Sequence, residues 1–173
     1  MSYPAFVSRM VVVRSTTPRL PATMAVRSLC ERLTSGGEFS LLPFSAVNPR
    51  YKAGFCHANV LHRTRTHGGS REFGWLVWEH PGLLAEGEFH SVWRSPTGEL
   101  VDLTPRADGE RLVMFVVDRE RRLERSGTFD MTWANYSIRG GHPEPVERYI
   151  ISRDHRFVKQ MERLGFSRDQ SLS

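Results

Sequence analysis

The sequence predicts an α+β fold in which an antiparallel sheet follows a helix that begins at Cys56. Two helical segments, at about 22–34 and 56–67, each end at a Gly-Gly pair. Short segments rich in β-branched and aromatic residues then follow between residues 73 and 117, separated by Pro-Gly, Pro-Thr-Gly and Asp-Gly turn signals. Because these connections are short, neighbouring strands are expected to pair antiparallel.

The N-terminal half is expected to alternate regular and irregular segments. The β-branched run over 5–14 predicts a strand, and the helix at 22–34 carries Cys30 as a small buried apolar residue. The stretch 38–54 holds several Pro and Gly breakers and is predicted to be irregular. The second helix then begins at Cys56.

The strands are expected over residues 73–79, 86–94, 99–103 and 112–117, with a further one over 129–138. A last helix is expected over about 143–165, where Pro143-Glu-Pro provides a start signal. Apolar residues follow that signal at helical spacing: Val146, Ile150, Phe157, Met161 and Leu164.

Composition predicts a single domain over residues 1–173, with a catalytic-like core at about 50–117. The chain is 39% hydrophobic and 25% charged, and its apolar runs are too short to cross a membrane. We therefore expect a cytoplasmic protein. The net charge of +5 permits an acidic partner, but acids interrupt the bases over 119–125, so nucleic-acid binding is disfavoured. The two cysteines do not suggest a disulfide framework.

The turn at Ser95-Pro-Thr-Gly98 predicts a contact between His90 and Asp102. Ser, Pro and Gly occupy the positions that a type I turn prefers, and Gly98 can close a three-residue loop in the left-handed region. That loop places Val92 opposite Asp102, so His90 lies on the same face, one pair further along. A two-residue loop would place the two side chains on opposite faces.

Cys56, His90 and Asp102 together have the chemistry of a nucleophile, a base and an orienting carboxylate. A helix N-terminus stabilises a thiolate, which makes Cys56 a candidate nucleophile. His90 would take the thiol proton and later protonate the leaving amine, while Asp102 would orient the imidazole.

An oxyanion would be held first by the backbone amide of Cys56, at the start of the helix. Asn59 and Asn48 are candidate side-chain donors, although a structural role is favoured for both. Glu88 shares a strand face with His90 and either tunes the site or faces solvent. Trp75 and Trp78 could line a substrate cleft, although core packing is favoured.

Each of these residues also has a structural alternative. Cys56 could be a buried inert thiol, His90 could form an ordinary cross-strand hydrogen bond, and Asp102 could cap the amide of Thr104. Zinc binding is a weaker hypothesis, because no CxxC or HExxH signature is present and the histidines following Cys56 are five residues apart. No metal or other cofactor is expected.

The chain resembles the transglutaminase-like and papain-like cysteine enzymes in four blocks: Cys56-His-Ala-Asn59, Gly74 to Glu79, Glu88 to Trp93, and Val101 to Pro105. The last two blocks match transglutaminase-like domains in the order and kind of His90, Trp93, Asp102, Thr104 and Pro105. A looser resemblance links Cys56, Asn59, His90 and Asp102 to amino-terminal glutamine amidases. The blocks from Cys56 to Phe115 also resemble uncharacterised bacterial proteins.

The resemblance implies a papain/transglutaminase-like core and a thiol enzyme that acts on a peptide or protein amide through a covalent Cys56 intermediate. The chain departs from transglutaminase-like domains in having Phe55 and His57, and no Trp, beside the cysteine. Hydrolysis, as in a peptidase, amidase or glutamine deamidase, is favoured over crosslinking because water is the default acceptor. The alternative is a non-catalytic binding domain whose basic surface holds an acidic partner or nucleic acid.

Overall fold

The computed structural model describes residues 16–106, 109–126, 130–139, 142–150 and 155–167, with the backbone alone between 124 and 150. The described chain combines helices with an antiparallel sheet, so the α+β prediction is confirmed. The strand predicted over 5–14 lies outside the described residues.

The helices are α1 (Met24–Leu33), α2 (Cys56–His67) and α3 (His155–Arg163). The strands are β1 (Ser40–Pro43), β2 (Ser70–His80), β3 (Leu84–Arg94), β4 (Leu100–Val101), β5 (Leu112–Val117), β6 (Glu124–Ser126), β7 (Asp130–Arg139) and β8 (His142–Ile150).

Five of the strands form a ring that closes beside Asp102. The pairing runs β1–β5–β2–β3, and β4 pairs with the end of β3. Phe44, directly after β1, then forms a parallel bridge with Asp102, directly after β4. Two backbone hydrogen bonds hold this seam: Asp102 donates to the Pro43 carbonyl, and Ser45 donates to the Asp102 carbonyl. The ring therefore returns to β1 at the candidate orienting carboxylate.

Alternation along β2 and β3 separates two apolar clusters. One cluster lies inside the ring and consists of Leu42, Leu76, Val92, Val113 and Phe115. On the outer face, α1 packs against β2 and β3 through Val26, Leu29, Cys30, Phe73, Trp75 and Phe89. A third cluster joins α2 to α3. Cys30 is fully buried in the α1 contact, as predicted.

The first two helices, the four strands β2 to β5 and the strand β7 confirm the predicted order of elements. The stretch 38–54 was predicted to be irregular but contains the short strand β1. Only Leu42 of that strand is buried, so its four residues show no clear alternation of apolar and polar side chains. The strand forms because it pairs with β5. A strand this short depends on its neighbour and leaves little signal in the sequence.

The last helix was predicted over about 143–165, and its first part is wrong. Residues 142–150 form β8, which pairs with β7, so Val146 and Ile150 belong to a strand. The helix begins only at His155, and Phe157 and Met161 are buried as its spacing predicted. Pro143 and Pro145 can start a helix, but they also fit a strand whose described pairing is on one side only.

No helix within the described residues is long and apolar enough to span a membrane.

Candidate active site

His90 and Asp102 meet as the turn chemistry predicts. Gly98 has a φ of 93°, and the Ser95 amide donates to the Glu99 carbonyl, which closes the three-residue loop. The register then pairs β3 with β4 in the expected way. His90 donates from Nε2 to Asp102 Oδ1 over 3.0 Å, and the contact is confirmed. Both side chains are almost fully buried.

Asp102 also caps the turn that follows it, so its two predicted contacts coexist. The Thr104 amide donates to the same Oδ1 atom over 3.0 Å. The backbone of Asp102 is fixed at the seam of the ring, and its side chain is buried. Both hydrogen bonds go to Oδ1, and together with the backbone bonds at the seam they fix the orientation of the carboxylate toward the imidazole.

Cys56 occupies the first position of α2, close to His90. The residue before it, Phe55, gives no side-chain hydrogen bond to the first turn of the helix. Within the described chain, the first-turn amides therefore have no side-chain cap competing for them. The Cys56 residue is buried, with 8% of its surface exposed.

The electrostatics around Cys56 favour a thiolate. Burial raises the pKa of the Cys56 thiol, but the charges of His57 and His90, with hydrogen bonds from both, lower it well below its ordinary value. The opposite holds at His90, where burial lowers the imidazole pKa but Cys56 and Asp102 raise it well above its ordinary value. These directions describe a thiolate–imidazolium pair near neutral pH.

The two ring nitrogens of His90 have different partners. Nε2 is committed to Asp102, so Nδ1 is the nitrogen left for the hydrogen bond with Cys56. A proton that passes between sulfur and imidazole therefore travels through Nδ1. Asp102 stabilises the ring in its charged form from the far side.

His57 is a site residue that sequence reasoning missed. Its ring is buried against Phe73 and Phe89, with centroid distances of 5.9 Å and 6.0 Å. Its Nδ1 is hydrogen-bonded to Ser91 Oγ at 3.0 Å. The ring therefore belongs to the outer face of the sheet and still lies close enough to Cys56 to lower the thiol pKa. Its position next to the cysteine was the only available signal.

The two candidate asparagine donors have structural contacts. Asn59 is fully buried, and its Nδ2 donates to the Lys52 carbonyl over 3.0 Å. This contact ties α2 to the segment before it. Asn48 accepts a hydrogen bond from the Arg50 amide in a local turn. Neither contact brings the amide to Cys56, so the first-turn backbone amides of α2 are the better oxyanion donors.

Glu88 lies near His90 and accepts a hydrogen bond from Trp78, while Trp75 belongs to the core. Trp78 donates from Nε1 to Glu88 Oε2 over 3.0 Å. Burial raises the pKa of Glu88, and the charge of His90 lowers it in part, which places this carboxyl near the pair. Trp75 is fully buried and donates to Asp118. The core interpretation of Trp75 is therefore the better one.

Within the described ranges, no group of three His, Cys, Asp or Glu residues is arranged to hold a metal ion. Three of the histidines have different partners. His62 is hydrogen-bonded to Tyr51, His67 is hydrogen-bonded to Thr66, and His80 lies near Glu86. This dispersal gives the zinc hypothesis no support.

A cavity of about 1020 Å³ lies elsewhere, between the residues that follow α1 and those that follow β5. Its lining includes Phe39, Asp118 and Arg121, and none of Cys56, His90 or Asp102. The reactive groups and this cavity therefore lie in different parts of the structure. We give priority to the thiol, because a reaction needs the reactive groups to be in contact.

Comparisons with family models, curated proteins and solved structures found no match.

The thiolate–imidazolium pair predicts a pH-dependent contribution of Cys56 and His90 to stability. In the folded chain the pKa of Cys56 lies below its ordinary value of 9.0, and the pKa of His90 lies above its ordinary value of 6.5. Between these two ordinary values the folded and unfolded chains therefore bind the same number of protons at the pair. The unfolding free energy of the wild type minus that of the double variant Cys56→Ala/His90→Ala should be level between pH 6.5 and 9.0 and should decrease on either side of this range. Urea titrations from about pH 4 to 10 measure this difference.

Cys30→Ala is the matched control for this measurement. Burial raises the pKa of Cys30 to about 11, so the corresponding difference should be flat below pH 9 and fall above it. A difference for the Cys56–His90 pair that does not decrease as the pH falls below 6.5 would contradict a thiolate–imidazolium pair in the folded protein.

Proposed function

We propose that the chain is a thiol enzyme that hydrolyses an amide through a covalent Cys56 intermediate, as a peptidase, amidase or glutamine deamidase. One observation carries the proposal: Cys56, at the uncapped start of α2, lies beside a buried His90 that is held by Asp102 at 3.0 Å. Nucleophile, base and orienting carboxylate are in the order that acyl transfer requires.

The reaction follows from the position of each group. The Cys56 thiolate attacks the amide carbon, and the carbonyl oxygen takes up negative charge opposite the first-turn amides of α2. As the C–N bond breaks, His90 donates its Nδ1 proton to the leaving amine, or to ammonia in a deamidation. His90 then accepts a proton from water, whose oxygen attacks the thioester. The acid leaves and the thiolate–imidazolium pair is restored.

The resemblance to papain-like and transglutaminase-like enzymes supports the same proposal. The helix carrying Cys56 precedes the strands carrying His90 and Asp102, and α2 packs mainly against β3. A papain/transglutaminase-like core, a cytoplasmic location and a peptide or protein substrate are parts of the proposal. Because no Trp flanks Cys56, the resemblance does not specify an amine as the acyl acceptor. Water is the default acceptor, so we propose hydrolysis.

The pH dependence of iodoacetamide labelling tests the proposal. Trypsin should release Cys56 in the peptide 53–63 and Cys30 in the peptide 28–32, so mass spectrometry reads both thiols in one sample. Cys56 should label with an apparent pKa well below 9.0 and faster than Cys30. In His90→Ala the apparent pKa should rise toward the free-thiol value of about 8.5.

His90→Gln keeps a hydrogen-bond donor for Asp102. It therefore serves as a second test if His90→Ala does not fold. If Cys56 is slow and its pH profile is the same in wild type and both variants, the thiol enzyme is rejected. The binding-domain hypothesis would then be preferred, and its test is a salt-sensitive association with an acidic partner. If the shift occurs, a screen of peptide and glutamine amides follows.

A further inference from the structure

Two arginines lie on one aromatic ring next to the candidate active site. The guanidinium carbon of Arg71 is 4.6 Å from the centre of the Phe73 ring, and that of Arg122 is 5.5 Å from the same centre. Arg71 comes from β2, two residues before Phe73 and on the same face. Arg122 comes from the segment after β5. The two cations therefore converge from different parts of the chain.

The ring of Phe73 connects this pair to Cys56. Phe73 is paired with Ser91 across β2 and β3, and its ring lies 5.9 Å from that of His57. Burial lowers the pKa of Arg71, and the charge of Cys56 raises it in part, which places this guanidinium within electrostatic reach of the thiolate. The arginines therefore lie at the side of the site where His57 and Phe73 line the outer face.

Neither arginine forms an ion pair with an Asp or Glu whose side chain the structure describes. Arg122 donates to the backbone carbonyls of Asp118 and Arg121, and the guanidinium of Arg71 lies over the Phe73 ring. Neighbouring arginines behave differently: Arg94 pairs with Glu72 at 2.8 Å. Two like charges on one ring repel each other, so an anion between them would be stabilised.

We infer that Arg71 and Arg122 form a subsite for a carboxylate of the substrate, close to the amide that Cys56 attacks. The inference rests on the proposed function and narrows it to amides that carry an acidic group. Guanidinium groups suit this role because their planar donors match a carboxylate in a two-point contact. The half-buried position of Arg71 strengthens the contact, because water screens it less.

Iodoacetate and iodoacetamide test the subsite, because they differ mainly in the carboxylate of the former. The ratio of their labelling rates at Cys56 is insensitive to the thiolate fraction, which affects both reagents equally. In the wild type this ratio should exceed that of free cysteine by about tenfold. It should fall by about tenfold in Arg71→Gln, and by a similar factor in Arg122→Gln.

Arg119→Gln is the matched control, because it removes one exposed charge from the same segment without touching Phe73. Its ratio should stay at the wild-type value. Arg122 is exposed, so its variant keeps the test decisive if Arg71→Gln fails to fold. Glutarate, a dicarboxylate, should protect Cys56 from iodoacetamide in a saturable way in the wild type and not in Arg122→Gln.

The outcomes separate the subsite from the enzyme. If Cys56 reacts fast with iodoacetamide but its rate ratio equals that of free cysteine, the subsite is rejected and the thiol enzyme stands. An equal fall of the ratio in Arg119→Gln would also reject it, because general surface charge would then explain the preference. Slow labelling by both reagents rejects subsite and enzyme together.

Discussion

Replacing Asp102 with asparagine should slow the iodoacetamide labelling of Cys56 at pH 6 by about tenfold or more. Asparagine keeps the size of the side chain and an oxygen that can accept from the Thr104 amide. It removes the negative charge that accepts from His90 Nε2. The pKa of His90 should therefore fall, and the pKa of Cys56 should rise by about one unit or more, because an adjacent opposite charge contributes that much.

Because Asp102→Asn should raise the pKa of Cys56, its effect on the labelling rate should be visible only at low pH. A higher thiol pKa reduces the thiolate fraction below that pKa and leaves it unchanged well above it. The two proteins should therefore label at very different rates at pH 6 and at similar rates at pH 10. A profile that is the same in both would contradict a His90 charge held by Asp102.

Asp118→Asn is the control for this change. Asp118 is also a buried carboxylate, but its partners are Trp75 and the amides of residues 120 and 121. It should leave the Cys56 profile unchanged. Asp102→Ala should in addition lower the free energy of unfolding by about 3 kcal/mol, because it leaves a buried imidazolium and the Thr104 amide without their acceptor.

Replacing Gly74 with alanine should lower the free energy of unfolding by about 3 kcal/mol or prevent folding. A Cβ at this position would lie 2.1 Å from the Val116 carbonyl oxygen and 2.5 Å from Cζ of Phe115. Both atoms are held firmly, one in the paired strand β5 and the other in the interior of the ring. The strands would have to separate.

Gly74 also lies opposite His90 in the pairing of β2 with β3, so any folded fraction should have a disturbed site. Gly36→Ala is the matched control, because the nearest atom to its added Cβ is 3.9 Å away. Urea titration measures both variants. If Gly74→Ala is as stable as Gly36→Ala, β2 and β5 do not approach as closely as described.

The Cys56 helix and the His90–Asp102 contact could be predicted because their determinants are local. Pro96 and Gly98 fix the turn, the turn fixes the register, and alternation then puts His90 and Asp102 on one face. The start of α2 is likewise bounded by Gly54 before it, and its end by Gly68, which has a φ of 70°. Each of these steps involves residues within a few positions of each other.

The C-terminal segment shows why local signals can fail. Pro143 and the apolar spacing after it satisfy the start of a helix, yet residues 142–150 pair with β7. Proline and apolar residues occur both at the start of a helix and in a strand. Which of the two forms depends on whether a neighbouring strand is available for pairing. Only from His155 onward, where the chain forms α3, does the helical spacing hold.

By itself, the sequence determined the α+β class, the helix that presents Cys56, and the turn that brings His90 to Asp102. Only the tertiary structure decided that Phe44 closes the ring at Asp102, and that His57 and the two arginines gather around Phe73. The physical reason is distance along the chain. Turn geometry is set by the φ and ψ angles of adjacent residues, whereas packing between remote segments depends on shapes and charges that no local pattern records.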